Sequence, residues 1–285
     1  EKLNRQVLKY FNIRPKKNAN LTPWKKITDT VLNSKKQVNI AIIGKYVNLK
    51  DAYKSLDEAL IHGGIFNKVK VNLLRIESDN LKKKDVKKLL KNVSGILIPG
   101  GFGKRGTEGK IAAINFARKN KIPFFGICFG MQMAVIEFAR NKLNIKHAGS
   151  SELDKKCFPV IGLMNEWDKD GKIIKGTNKE LGGTMRLGLY EAKLRHNSLV
   201  KKIYNSTNIK ERHRHRYEVN KHLKSKFESN GMIFSGMSPN NNLPEIIELK
   251  SHPWFIGVQF HPEFKSRPLN PHPLFSSFIK AAKSK

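Results

Sequence analysis

The chain has 285 residues, 55 Lys and Arg against 23 Asp and Glu, a net charge of +32, and 39% apolar residues. That composition can fill one large core, while no apolar run approaches the ~20 residues that span a bilayer, and no signal segment opens the chain. Two cysteines, Cys128 and Cys157, cannot build a disulfide framework, so the chain reads as cytoplasmic, and secreted staple folds, collagens and coiled coils are excluded.

In chain order, residues 1–14 read as the end of a helix, with Leu3, Val7, Leu8 and Phe11 at helical spacing. The start at Glu1 rather than Met suggests a piece of something longer. Residues 15–37, from Pro15, Lys16, Lys17 and Asn18 to Trp24 and a lysine pair, read as a linker over a surface. A buried strand is expected at Val38–Ile43, closed by Gly44, then a helix through Leu56, Ala59 and Leu60. A strand at 69–76, a helix at 79–92, a strand at 95–98, a helix at 110–119, a strand at 123–127 and a helix at 131–140 follow. Strand and helix alternate, the pattern of an α/β fold with a mostly parallel central sheet and helices on both faces. From about residue 145 the spacing changes, and strands are expected at 184–192, 232–236, 246–249 and 255–259, before a closing helix at 273–283.

The charge invites a nucleic-acid reading, because Lys and Arg neutralise phosphates. The lysines are spread along the whole chain, however. Their densest group, Lys82, Lys83, Lys84, Lys87, Lys88 and Lys91, is interleaved with Leu81, Val86, Leu89, Leu90 and Val93 at helical spacing. That pattern describes an amphipathic helix with a solvated basic face. Small anionic ligands such as nucleotides are the better match, and nucleic acid is disfavoured as a partner.

Gly126-Ile127-Cys128-Phe129-Gly130 falls where a strand ends and a helix begins. This is a G-x-C-x-G nucleophile elbow, in which flanking glycines admit a strained turn that lifts Cys128 above the sheet. The start of the following helix favours the thiolate. Upstream, Pro99-Gly100-Gly101-Phe102-Gly103 follows another expected strand end, and its amides could join the Phe129 N–H in an oxyanion hole. A thiolate nucleophile needs a histidine. His261 follows the strand at 255–259 and precedes Pro262-Glu263. In extended chain His261 and Glu263 project to one side, so Glu263 can fix the imidazole tautomer. His213 and His215, in Glu211-Arg212-His213-Arg214-His215-Arg216, have no matching cluster at zinc spacing and carry three arginines that oppose a cation, so no metal site is expected. A guanidinium such as that of Arg216 suits a substrate carboxylate.

Gly126–Gln132 (GICFGMQ) with Gln259–Glu263 (QFHPE) resembles the class I, triad-type glutamine amidotransferases, whose fold is flavodoxin-like with a smaller added β region. Gly44–Ala59, Gly182–Gly188 (GGTMRLG), Glu211–Asn220 (ERHRHRYEVN) and His272–Phe275 (HPLF) are similar to the C-terminal glutaminase domain of the CTP synthase family. The resemblance implies that Cys128, His261 and Glu263 hydrolyse L-glutamine to glutamate and ammonia through a thioester. It implies that Gly101 and Phe129 form the oxyanion hole, and that Gly101, Gln132, Glu152 and Arg216 bind glutamine. It divides the chain into the end of an amidoligase domain (1–14), a linker (15–37) and the amidotransferase domain (38–285). It implies no cofactor in this piece. The full-length enzyme would use ATP and Mg2+ to aminate UTP to CTP, respond to GTP as an allosteric activator through a mobile region around Gly182–Gly188, and form a homotetramer. Leu153 stands where that family usually has Phe, a departure beside Glu152. A non-catalytic regulatory or assembly module of the same fold is the alternative, and the intact Cys128, His261 and Glu263 argue against it.

Overall fold

The computed structural model describes residues 3–14, 17, 20–47, 49–81, 84–163, 166–169, 172–175 and 185–285. Two helices come first, α1 (Leu3–Tyr10) and α2 (Thr22–Asn33), and neither has a buried residue. Helix α2 lies inside the stretch expected to be a linker. Pro23 in its first turn is a favourable helix start that a reading of the Pro- and Lys-rich surroundings passes over.

The alternating part then runs β1 (Gln37–Gly44), α3 (Lys54–Asn67), β2 (Lys70–Glu77), α4 (Val86–Leu89), β3 (Gly95–Ile98), α5 (Thr107–Lys119), β4 (Phe124–Ile127) and α6 (Phe129–Asn141). After it come β5 (Ala148–Ser150), β6 (Phe158–Leu163), β7 (Glu166–Lys169), β8 (Lys172–Lys175), β9 (Arg186–Leu194), α7 (Leu199–Tyr204) and β10 (Asn208–His215). The chain ends with β11 (Tyr217–Val219), α8 (Lys224–Ser229), β12 (Met232–Met237), β13 (Pro244–Leu249), β14 (Phe255–Val258) and α9 (Pro273–Lys283).

Nine strands form one sheet in the order β10-β9-β12-β13-β14-β4-β3-β1-β2. From β2 to β14 every pairing is parallel; from β14 to β10 every pairing is antiparallel. Followed along the sheet, these pairings leave seven strands running one way, with only β13 and β9 opposed. The parallel segment has the flavodoxin-like order, in which ligands sit beyond the carboxyl ends of the strands. The added β region is a sheet of β11, β6 and β5 and a hairpin of β7 and β8.

The alternation of side chains along each strand sorts the core into two layers. Ala41, Ile43, Ile96, Ile98 and Phe124 face α5 and α6, burying Ile114, Ala117, Met131 and Phe138. Ile40, Ile42, Leu97, Phe125 and Ile127 face α3 and α9, burying Leu56, Leu60, Phe275 and Phe278. Strands covered on both faces read as near-continuous apolar runs, which is why this half is visible in the sequence.

The basic helix expected at 79–92 is instead confined to α4 within the described residues, and Lys82 and Lys83 lie outside them. Like charges three and four apart oppose a long helix here. The segment still buries Leu81, Val86, Leu90 and Val93 while Lys84, Lys87, Lys88, Lys91 and Leu89 stay exposed. The strand expected at 184–192 is β9, and Thr184 is outside the described residues. No helix among the described residues is long and apolar enough to cross a membrane.

Candidate active site

Three neighbouring parallel strands end at one place. The loop after β3 carries Gly100, Gly101 and Phe102, the turn after β4 carries Cys128, and the chain after β14 carries His261. All five line a cavity of about 580 Å³, together with Gln132, Glu152, Arg216 and Tyr217.

Cys128 has φ +51° and ψ −102°, a left-handed conformation that a residue with a side chain adopts only under constraint. The constraint is the turn from β4 into α6. A Cβ on Gly126 would lie 2.8 Å from the Gly130 backbone, and one on Gly130 would lie 2.1 Å from the Ile98 carbonyl oxygen. Only glycine allows the strand, the turn and the helix to approach so closely. The Cys128 amide donates to Val258 O at 2.7 Å, fastening the elbow to β14. Its sulfur lies 3.9 Å from Arg214 O and accepts from Gln259 Nε2 at 3.6 Å.

His261 is the cap of a short 3-10 turn, Pro262–Lys265, and its Nδ1 lies 2.7 Å from Glu263 Oε1. The pair therefore meets across a tight turn rather than along extended chain as the spacing suggested. Burial lowers the affinity of His261 for a proton. The charge of the Cys128 sulfur, the hydrogen bond to it and the Glu263 carboxylate outweigh that effect, lifting the pKa to about 10. Cys128, His261 and Glu263 thus form one connected group. The His261 ring lies so near the glycine loop that a Cβ on Gly100 would meet its Cε1 at 2.7 Å.

Phe129 is the first residue of α6, so its N–H has no acceptor within the helix. Gly101 faces the same cavity, and the nearest atom to a Cβ there would be in the Phe129 ring, at 3.9 Å. Gln132 is buried, and its Nε2 donates to Tyr217 O at 3.0 Å and to Gln259 Oε1 at 3.3 Å. Glu152 Oε1 accepts from the Gly103 N–H at 2.9 Å, so this carboxylate also holds the glycine loop. Arg216 is half-buried on the cavity wall, and its Nε has no hydrogen-bond partner.

Several residues at the site were not foreseen. Gln259 touches both Cys128 and Gln132 from the strand side; its place in the QFHPE stretch was the available signal. Lys45 Nζ donates to the carbonyls of Phe102 and, at 3.0 Å, of Gly103. Lys110 is buried and donates to Ser78 Oγ at 3.0 Å; burial and then the nearby Lys45 charge lower its pKa to about 8. Both ammonium groups lie within 6 Å of the Phe129 ring centroid, Lys45 at 5.9 Å and Lys110 at 5.8 Å. Lys45 falls in the family-like stretch Gly44–Ala59, whereas nothing in its sequence context marks Lys110 among so many basic residues. Met185 and Tyr53 also line the cavity, while Gly182–Thr184 lie outside the described residues.

His213 and His215 are buried on β10, whereas Arg212 and Arg214 point to solvent. The arginine beside the two rings is Arg186 of β9, not one of their immediate neighbours. Among the described residues no group of three or more His, Cys, Asp or Glu is arranged to hold a metal ion. Cys157 is a free, half-buried thiol whose Cβ would lie 2.8 Å from a Cβ on Gly149; burial and Asp154 push its pKa up.

The sequence profile of the class-I glutamine amidotransferase family matches residues 48–281. The CTP synthase of Pelagibacter ubique is 75% identical over 284 residues, covering 100% of this chain and 53% of that protein. The CTP synthase of Rhizobium johnstonii is 56% identical over 283 residues, covering 99% of this chain and 52% of that protein. The chain thus spans about half the length of the curated relatives it matches. Among solved structures, the Trypanosoma brucei CTPS glutaminase domain with bound acivicin is 37% identical with a TM-score of 0.79, covering 87% of this chain and 94% of that one.

Proposed function

The chain belongs to the class I glutamine amidotransferase family, and on that premise we propose that it hydrolyses the side-chain amide of L-glutamine. The observation that carries the proposal is the strained Cys128, at φ +51°, at the carboxyl end of β4 beside the His261–Glu263 pair. The Cys128 sulfur attacks the amide carbon, and the C–N bond breaks as His261 gives its proton to the leaving nitrogen. Ammonia departs and a thioester remains. Water then attacks the thioester while His261 takes its proton, and glutamate leaves with the sulfur restored. Glu263 holds the imidazole in register through Nδ1. The Gly101 and Phe129 amides stabilise the oxyanion of both tetrahedral intermediates. Arg216, with its unpartnered Nε, pairs with the glutamine carboxylate, and Gln132 and Glu152 receive its amino end.

The names of the relatives, and the half of their length that this chain spans, support a wider reading. Residues 1–14 end an amidoligase domain and 15–37 link it to the amidotransferase domain at 38–285. The exposed apolar residues of the first two helices, Leu3, Val7, Tyr10 and Trp24 among them, suit packing against that domain. The whole protein would pass ammonia to it, where ATP and Mg2+ supply the activation that aminates UTP to CTP, and would assemble as a homotetramer. GTP would act as its effector; the like-charged Lys45 and Lys110 beside the cavity are groups that an anion would relieve.

Glutamate release from glutamine, measured on the purified chain and on the full-length protein, with and without GTP, tests this reading. Hydrolysis that disappears in Cys128→Ala supports it, and a GTP effect supports the effector. No hydrolysis by folded full-length protein would sink the proposal.

A further inference from the structure

Behind the nucleophile and the base lies a buried polar cluster that the mechanism above does not use. Strand β10 is the last strand of the sheet, bonded along one edge to β9. Its backbone meets both catalytic residues: His261 N–H donates to Arg212 O at 2.8 Å, and the Cys128 sulfur lies 3.9 Å from Arg214 O. The position of one edge strand therefore bears on the separation of nucleophile and base. The inward side chains of that strand are Ile209, Glu211, His213 and His215.

His213 Nδ1 and His215 Nε2 are 2.9 Å apart, so one ring donates and the other accepts. Beyond them, His213 Nε2 is 3.5 Å from Glu245 Oε2, and His215 Nδ1 is 3.5 Å from Glu218 Oε1. These four outer atoms are buried without hydrogen-bond partners, and they face one another in pairs. Arg186 Nη1 is 2.5 Å from Glu245 Oε1 but 3.7 Å from Glu218 Oε1, so its charge belongs chiefly to Glu245.

With the Arg186 charge on Glu245, one order of protons fits these positions. Glu245, paired with Arg186, accepts from His213 Nε2–H. His213 Nδ1 is then bare and accepts from His215 Nε2–H. His215 Nδ1 is bare in turn and needs a donor, which a protonated Glu218 supplies. The reverse order would aim a bare His213 nitrogen at the Glu245 carboxylate. The charge balance agrees, since one cation and one anion remain and the buried cluster is neutral. Burial and the Glu245 carboxylate push Glu218 well above the usual carboxylate range, and burial followed by Arg186 pulls both histidines well below theirs.

We propose that Glu218, His215, His213 and Glu245 form a one-directional hydrogen-bond relay anchored on Arg186, and that the relay positions β10 so that its carbonyls set the spacing of Cys128 and His261. The four are positioning residues. They lock the edge strand from inside, while the 217–219 strand that follows carries Tyr217, whose carbonyl holds Gln132.

The inference rests on the glutaminase reading, and the experiment separates the two. Glutamine hydrolysis is measured in the full-length protein for wild type, Glu218→Gln and Glu218→Ala, with melting temperatures alongside. Gln offers an N–H where the relay needs an O–H, so Glu218→Gln is expected to retain wild-type turnover. Glu218→Ala is expected to lower kcat about 10- to 100-fold, through misplacement of the reacting groups, with a smaller change in KM. Equal impairment of the two variants, or a fully active Glu218→Ala, overturns the relay. No hydrolysis by wild type sinks the glutaminase reading itself. Should Glu218→Ala fail to fold, a neutron structure of the wild-type protein decides. Deuterium on Nε2 of both rings and on the Glu218 carboxyl supports the relay; an ionised Glu218 or a bare Nε2 overturns it.

Discussion

In the parallel half of the sheet, β1, β3 and β4 bury Ile40, Ile42, Ile96, Leu97 and Phe125 against helices on both faces. In the antiparallel half, β9, β10 and β13 bury Arg186, Glu211, His213, His215 and Glu245. The first half places its candidate site where strands stop, at glycine turns and loop ends, and its interior is only a support. The second half brings polar side chains into its interior, where each must find a partner or incur a desolvation cost. The site lies between these two arrangements and depends on both.

The sharpest test of the comparison is to disable the turn. Cys128→Ala is expected to lower glutamate release by about 10⁴-fold or more, as removal of a nucleophile does in other triads, with the melting temperature nearly unchanged. Comparable hydrolysis by the variant would mean that the chemistry is not at the parallel half's strand ends.

The antiparallel half should respond in stability instead. Glu245→Gln removes the carboxylate 2.5 Å from a buried guanidinium, and breaking such a pair costs about 3–5 kcal/mol. Chemical denaturation measures it. Replacing both partners, Arg186→Met with Glu245→Leu, is expected to recover much of that stability without recovering glutamate release. Recovery of both would reduce the cluster to a packing feature. In the parallel half the corresponding weak point is steric. Gly130→Ala drives a Cβ to within 2.1 Å of the Ile98 oxygen, and overpacking of this kind costs about 1–3 kcal/mol.

The same division governs what could be read in the sequence. Apolar runs marked β1, β3, β4 and β14; the elbow followed from the glycines around the end of β4, and the His261–Glu263 pair from a two-residue spacing that suggests extended chain and is in fact a turn. Strand β10 was invisible because every residue of Asn208–His215 except Ile209 is charged or polar. A pattern search looks for apolar against polar, whereas burial here alternates residue by residue within an almost wholly polar stretch. Lys110 was hidden by abundance, and only the fold brings it and Lys45 onto one phenylalanine ring. The helix expected at 79–92 failed for the opposite reason: a helical pattern in sequence did not survive its own lysine repulsion.

The link between the halves titrates. His261 has its pKa raised from 6.5 to about 10, chiefly against burial, by Cys128 and Glu263. A raised pKa contributes stability that is fully present below pH 6.5 and is lost as the pH rises through about 10. Glu263→Gln takes away the carboxylate that helps hold the proton on His261, so its melting temperature should lie furthest below that of wild type on the acid side of this window. The two curves should converge as the pH approaches the upper end. Parallel curves across the window would mean that the carboxylate and the imidazole are not coupled.

The smallest expected effect has the opposite sign. Cys128 holds φ +51° without being glycine, and a side chain in sparsely allowed backbone space costs on the order of 1 kcal/mol. Cys128→Gly removes that cost, although the added freedom of the unfolded chain returns part of it. The variant should therefore be inactive and slightly more stable than Cys128→Ala, by roughly 1–2 °C in melting temperature for a domain of this size. A glycine variant less stable than the alanine variant would mean that the elbow is not strained. The positive φ would then be a relaxed turn, and the parallel half would hold its nucleophile without the local cost that function imposes there.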